Sequence, residues 1–291
     1  MNSDSLFTAV NSVLLFIICC IMLYPFVYTF SISISDPIAV TKGQVRLLPV
    51  GFSVDSYKLI MESKLFYRAY WNTFVYSVVG AVISVALLMI SAYPLSVKSL
   101  KGRKWITLFM TVTMFFSGGM IPTYLVIKNI RMLNTIWAIV LPGALSAWSI
   151  VLCRTFIQGI PEALRESALI DGAGEWRILS QIIIPLSKAL IAVMALYSVV
   201  GQWNNYFGPM LYLTDDQKYP LQLVLRRILV DDLFTSIYGR DGIMRTGSRV
   251  PPVTQAIRSA CIMLTIAPIV CIYPFLQKYF AKGVMVGSIK G

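Results

Sequence analysis

Six long apolar runs divide this chain, and short polar connections separate them. They cover residues 6–33, 71–97, 105–127, 135–153, 189–213 and 259–276. Each is close to or above the roughly 20 residues that carry a helix across a bilayer. The pattern predicts an all-α membrane protein with six transmembrane helices. An even number of spans places both termini on one side. The first run is about twice the 7–15 residues of a signal-peptide core, and its MNSDS start carries no basic residue. It reads as a retained anchor, with Pro25 tolerated as a kink.

Glycine and proline interrupt the pattern at defined places. Ser117-Gly118-Gly119 and Pro122 break the third run, and Pro142-Gly143 breaks the fourth. At membrane depth such breaks are acceptable only where the freed backbone faces protein or a wet cavity. Residues 35–70 form a mixed loop whose SVDSYKLIMESKLF segment predicts a short amphipathic surface helix. Tyr70 and Trp71 fit an interfacial aromatic belt.

Composition supports the membrane class. Hydrophobic residues make up 57% and charged residues 13%, whereas soluble domains carry about 25% charged residues. The chain has no histidine, which removes Ser-His-Asp and Cys-His catalysis. Cys19, Cys20, Cys153, Cys261 and Cys271 sit in or beside apolar runs without a CxxC pair, so they read as small hydrophobes. The net charge of +12 is accounted for by loop cations facing phospholipid headgroups, and no nucleic-acid partner is expected. The connections 98–104 and 154–188, with the tail, hold 11 of the 25 lysines and arginines. The densest cluster is Lys98, Lys101, Arg103 and Lys104, in a short loop where the positive-inside rule counts most. That side is expected to be cytoplasmic.

None of the six runs contains Asp, Glu, Lys or Arg. Ionisable residues inside the membrane mark proton relays and ion pathways, so a pore here is lined by neutral groups and suits a neutral, hydroxyl-rich solute. The fifth run holds Gln202, Trp203, Asn204, Asn205 and Tyr206. Amides beside a flat ring suit a sugar, and Tyr124 and Trp148 are further pathway candidates. The competing reading of the same residues is helix–helix hydrogen bonding plus an interfacial aromatic. No GxxxxGK[ST] phosphate loop, metal cluster or activated nucleophile is visible. Any work done by the pore must come from another polypeptide.

The polar stretch 159–187 is where such work can enter. Pro161 predicts the first helical position, Glu162 suits the first turn, and Asp171-Gly172 predicts the stop, with Gly172 left-handed. A second helix restarts at Glu175. Ala163, Leu164, Ser167 and Ala168 form a mostly small face that lets another surface approach, or that lies on the membrane as an ordinary amphipathic helix.

The residues PEALRESALIDGA, then Trp176 and Ile183-Ile184-Pro185, resemble the EAA loop of permeases of carbohydrate ATP-binding-cassette importers, the maltose-type and oligosaccharide branch. The triad falls on Glu166-Ser167-Ala168, followed by Gly172 and Pro185. Ser167 departs from the family's middle alanine and Ile184 from its leucine. Residues 202–205 and 282–288 are similar to the same branch, and FSGGMIP at 116–122 to its oligosaccharide subgroup in Gram-positive bacteria.

The resemblance implies a type I importer permease fold in a bacterial cell membrane, with both termini cytoplasmic. Residues 1–34 would be the anchor helix, 35–70 an extracytoplasmic loop and 71–282 the core. The core would include a cytoplasmic coupling loop at 159–187 and an extracytoplasmic loop at 214–252. Residues 283–291 would be a cytoplasmic tail. The subunit would not be an enzyme. It would pair with a homologous second permease and two cytoplasmic ATPases, which use ATP and magnesium that this chain does not bind. An extracytoplasmic binding protein would deliver the sugar. The coupling set would be Glu162, Ala163, Leu164, Glu166, Ser167, Ala168, Asp171, Gly172, Ala173 and Pro185. The alternatives are a stand-alone secondary transporter or channel for a neutral polar solute, and an intramembrane enzyme.

Overall fold

A computed structural model describes residues 3–230 and 255–271. The 231–252 part of the outer loop, the end of the sixth run at 272–276 and the basic tail lie outside the described residues. Every regular element among the described residues is helical, and their one strand-like pairing is an isolated antiparallel bridge between Ser35 and Phe52. They fall into two compact units, residues 1–67 with 224–268, and 68–223 with 269–291.

The first unit is built on α1, Ser3–Ser33, which keeps Pro25 inside it. Its apolar residues from Phe7 through Phe30 are largely exposed. At its end three serines tie down the following loop. Ser31 Oγ donates to Leu47 O (2.6 Å), Ser35 Oγ accepts from Val50 N (3.1 Å), and Ser33 Oγ meets Tyr57 Oη (2.8 Å). Asp36 caps the short α2, Pro37–Thr41, by accepting from Ile38 N. The amphipathic segment forms α3, Asp55–Glu62, and turns Ser56 and Ile60 inward.

The second long helix starts earlier than its apolar run. α4 spans Lys64–Ser96, because nothing between Lys64 and Trp71 stops a helix. Its 33 residues reach about 50 Å, longer than the roughly 30 Å of hydrocarbon that a spanning helix has to cross. Polar contacts, one of them fully buried, join α4 to the segment after residue 214. Thr73 Oγ1 accepts from Leu221 N (2.7 Å), Tyr76 Oη donates to Lys218 O (2.8 Å), and Asn72 donates to the carbonyls of Gln217 and Tyr219.

The third run is not one straight span. α5, Arg103–Phe115, and α6, Met120–Asn129, meet at 114°. The break sits at 116–119, where Gly119 has φ +84°, a conformation that glycine takes at no steric cost. Pro122 does not break the helix. It lies in the first turn of α6, where its missing N–H is one of the groups left unpaired anyway.

The fourth run is split as well, and it is displaced. α7, Trp137–Val140, ends before Pro142-Gly143, and α8, Ala147–Gln158, continues five residues past Cys153. Ser146 opens α8 by accepting from Ser149 N.

Next come α9 (Glu162–Ile170), α10 (Glu175–Ile178), a π-helical segment (Leu179–Ile183) and α11 (Ile184–Leu186). α12, Lys188–Trp203, turns 82° from the preceding helical stretch. α13, Phe207–Tyr212, is separated from it by Asn204, Asn205 and Tyr206. α14 covers Leu221–Val230. α15 covers Gln255–Cys271 and begins four residues ahead of the sixth run, taking in Arg258. Two described helices are long and apolar enough to cross a membrane, and up to four if each bent pair is one span.

The core of the second unit gathers Leu88, Ala92 and Tyr93 of α4, Cys153 and Ile157 of α8, Ile178 and Ile183 after α9, and Met194 of α12. The connection after α9 is thereby packed onto the helices that lead into the membrane. All five cysteines are free thiols.

Candidate functional site

α9 stands out from its surroundings. Pro161 is the N-cap (φ −56°, ψ 124°), not the first helical residue, and its carbonyl already accepts from Leu164 N. Its extended ψ takes it out of the helix and hands the first turn to Glu162. The other end is a Schellman motif. Ala173 N donates to Ala168 O (2.9 Å) and Gly172 N donates to Leu169 O (3.0 Å), with Gly172 at φ +78°. Ala168 and Ala173 both pack against the core.

That motif sorts the small face. Ala168, expected on the docking face, points inward, because the C-terminal cap requires an apolar contact there. Ala163, Leu164, Glu166 and Ser167 are exposed. Glu166 makes no hydrogen bond or ion pair among the described residues. Pro185 lies in α11 at the far end of the return arm, and Asp171 is the C-cap. Two apolar residues of the same stretch that the expected coupling set leaves out belong to this surface. Ile170 is 86% exposed and Trp176 is 71% exposed. The available signal was large hydrophobes beside the glycines of an otherwise polar turn.

Ion pairs hold the helix from behind. Lys98 Nζ donates to Glu162 Oε2 at 2.9 Å. This bond and the Lys98 charge hold the Glu162 carboxyl below the ordinary range and raise the Lys98 ammonium. Arg165 donates to one oxygen of Glu175, and the Tyr93 hydroxyl donates to the other. Burial alone would raise the Glu175 carboxyl, but these two donors leave it below its ordinary value. The hydrogen bond to Glu175 raises Arg165 in turn. Beside this cluster lies a cavity of about 360 Å³, lined by Tyr93, Pro94, Val97, Arg165 and Trp176 among others.

The pathway candidates are dispersed. Trp203 is buried (6% exposed) and sits edge-on against Tyr70, with ring centroids 5.6 Å apart. Gln202 rests on Gly80 of α4, and its Oε1 is buried without a hydrogen-bond partner. Asn205 Oδ1 accepts from Gly208 N and opens α13. Asn204 donates to Val200 O and accepts from Gln222. Tyr206 and Trp148 are exposed. Tyr124 stacks on Tyr212 at 6.3 Å, beside Asn134, whose Oδ1 accepts from Thr214 N and Asp215 N. The amide run therefore satisfies itself largely inside the chain, which leaves Tyr206 as its most accessible ring. No group of three or more His, Cys, Asp or Glu side chains is placed to hold a metal among the described residues.

The family described as binding-protein-dependent transport system inner membrane component matches residues 77–286. The polygalacturonan/rhamnogalacturonan transport system permease protein YtcP of Bacillus subtilis (strain 168) is 37% identical over 278 residues, 96% of this chain and 95% of that protein. Protein LplC of the same organism is 37% identical over 93% of this chain and 90% of its own length. A solved bacterial ABC transporter involved in the import of the acidic polysaccharide alginate contains a similar chain. It has a TM-score of 0.88 and 34% identity, covering 96% of this chain and 98% of that one.

Proposed function

The chain belongs to the binding-protein-dependent transport system inner membrane components, and from that membership we propose how its surfaces work. It is a pore-forming permease subunit of a bacterial sugar or oligosaccharide importer, and it catalyses no reaction itself. Six spans carry it through the membrane with both termini cytoplasmic. The connection 159–187 faces the cytoplasm, and residues 35–70 and 214–252 face outward. A homologous permease completes the pathway, two ATPases bind and hydrolyse ATP with magnesium, and a binding protein delivers the solute. α9 is the ATPase contact, with Glu162, Ala163, Leu164, Glu166, Ser167, Asp171 and Gly172 at or beside the docked face. Ile170 and Trp176 supply its apolar anchors, the kind of large exposed side chain that dominates interface energetics. Gln202, Asn204, Asn205, Tyr206, Tyr124 and Trp148 belong to the solute path, with Trp203 as its buried support.

The substrate class is an oligosaccharide bearing uronate groups. The observation that carries this reading is the full-length similarity to a permease for polygalacturonan and to one in an alginate importer. The apolar runs hold neither carboxylate nor cation, so the path itself does not select for charge, and the uronate assignment replaces the neutral solute expected from the runs alone. The test uses the whole importer reconstituted with its binding protein in proteoliposomes. Oligogalacturonate should stimulate ATP hydrolysis and enter the vesicles, while a neutral malto-oligosaccharide of equal length should do neither. An equal response to the neutral sugar rejects the uronate assignment.

A further inference from the structure

The last turns of α4 and the residues after it carry two polar ties to the α9–α10 hairpin, and the two differ in kind. Lys98 and Glu162 are solvent-exposed on both sides, 76% and 48% for their side chains. Exposed pairs of this sort contribute little and are screened by salt.

The second tie is buried on one side only, since the Glu175 side chain is 51% exposed. Arg165 of α9 is only 19% exposed, and its Nε is buried with no partner of its own. Glu175 is its counter-charge. The same carboxylate accepts from Tyr93 of α4 through its other oxygen. One side chain thus bridges the exposed helix and the long transmembrane helix, from a third element. Both oxygens are engaged with charge-assisted or hydroxyl donors, which are stronger and more directional than neutral contacts. The cavity beside the cluster sharpens its role. Around Tyr93, Pro94, Val97, Leu100 and Trp176 lies a half-open pocket of about 360 Å³, so side-chain packing is missing on that side. On its other side Tyr93, Ile178 and Leu179, with Ala168 and Ala173 against them, form an apolar layer, to which the bridge adds a directional contact. Separating Arg165 from Glu175 would also leave a largely buried guanidinium uncompensated.

We infer that Tyr93, Arg165 and Glu175 are positioning residues that transmit displacement of α9 directly into α4. This rests on the reading of α9 as the ATPase contact. A push on α9 is carried to the end of the 33-residue α4 by a rigid three-group link. Without the link the push reaches the core through the apolar contacts of Ala168 and Ala173, which have no preferred direction.

The experiment uses the complete importer in proteoliposomes and compares Tyr93→Phe, Arg165→Glu, Glu175→Arg and the double exchange Arg165→Glu with Glu175→Arg. Three quantities are read: ATPase subunits retained on purification, ATP hydrolysis, and solute imported per ATP. Each charge reversal should keep the ATPases bound and still hydrolysing but lower solute per ATP about tenfold, and Tyr93→Phe should lower it roughly two- to fivefold. The double exchange should restore the ratio to within about threefold of wild type. Single variants with wild-type solute per ATP overturn the inference. So does a double exchange no better than its parents, or loss of the ATPases, which would make the cluster a clamp for assembly instead of a transmitter. If the wild-type complex neither binds an ATPase nor imports, the functional reading fails first and the inference falls with it.

Discussion

Gln202 of α12 is seated on Gly80 of α4, and a Cβ added at residue 80 would lie 3.0 Å from Gln202 Cγ and 3.3 Å from its amide carbon. Two membrane helices approach closely here because one of them has no side chain, which is how small residues pack helices in lipid.

Gly80→Ala therefore forces Gln202 to shift by a few tenths of an ångström, and Gly80→Leu separates the helices. Overpacking of this kind costs about 1–3 kcal/mol. The leucine variant should lose thermal stability in detergent and import several-fold less, with alanine intermediate. A leucine variant with unchanged melting would show that the approach is not tight.

Gly172 holds φ +78° at the end of α9, and nothing lies within 4 Å of the Cβ it lacks. The cost of a side chain there is conformational, about 1–2 kcal/mol for an L-residue in the left-handed region. Gly172→Asn should keep most of the import and Gly172→Val should abolish it, while both insert normally. Uptake assays alongside a membrane-fractionation blot separate the two effects; equal import by both variants would contradict the turn's role.

Ile170 and Trp176 are among the most exposed large hydrophobes of the polar connection. Ile170→Asp and Trp176→Ala should each release the ATPases on purification, with losses of about 2 kcal/mol in binding per anchor. Glu166→Arg should do the same by placing a cation where the partner offers positive donors. Full retention of ATPase in all three would move the docking surface elsewhere.

Glu175 lies below the ordinary carboxyl value of 4.5 when folded. A depressed folded pKa adds stability that is complete above the unfolded value and is lost as pH falls through the folded one. The melting temperature of wild type should exceed that of Glu175→Gln at neutral pH, and the gap should close as the pH falls below 4.5 and through the depressed folded value. Parallel curves across that window would mean that the carboxylate does not hold the hairpin.

Much of the site was legible along the chain. The limits of α9, the left-handed Gly172 and the break at 117–119 follow from local signals: glycine where φ is positive, a carboxylate in a first turn, apolar runs of membrane length. Such signals act within a few residues and need no neighbours. Pro161 shows where even they slip by one place, since proline serves equally just outside a helix and just inside it.

The apolar runs by themselves predicted a membrane protein without charge in its spans, and the EAA-like loop pointed to the family that the similarity to known permeases shows. What they could not decide was which way each side chain points. Ala168 and Ser167 are adjacent and similar in size, yet the Schellman contact turns one inward and leaves the other outside. Trp203 reads as a pathway residue from its amide neighbours and is buried against Tyr70, 133 positions earlier in the chain. The bridge of Tyr93, Glu175 and Arg165 joins residues 82 apart in sequence and has no local signature. Periodicity fixes where a helix runs, because its hydrogen bonds are local. The face it buries, and the partner each charge meets, depend on helices that only the folded chain brings together.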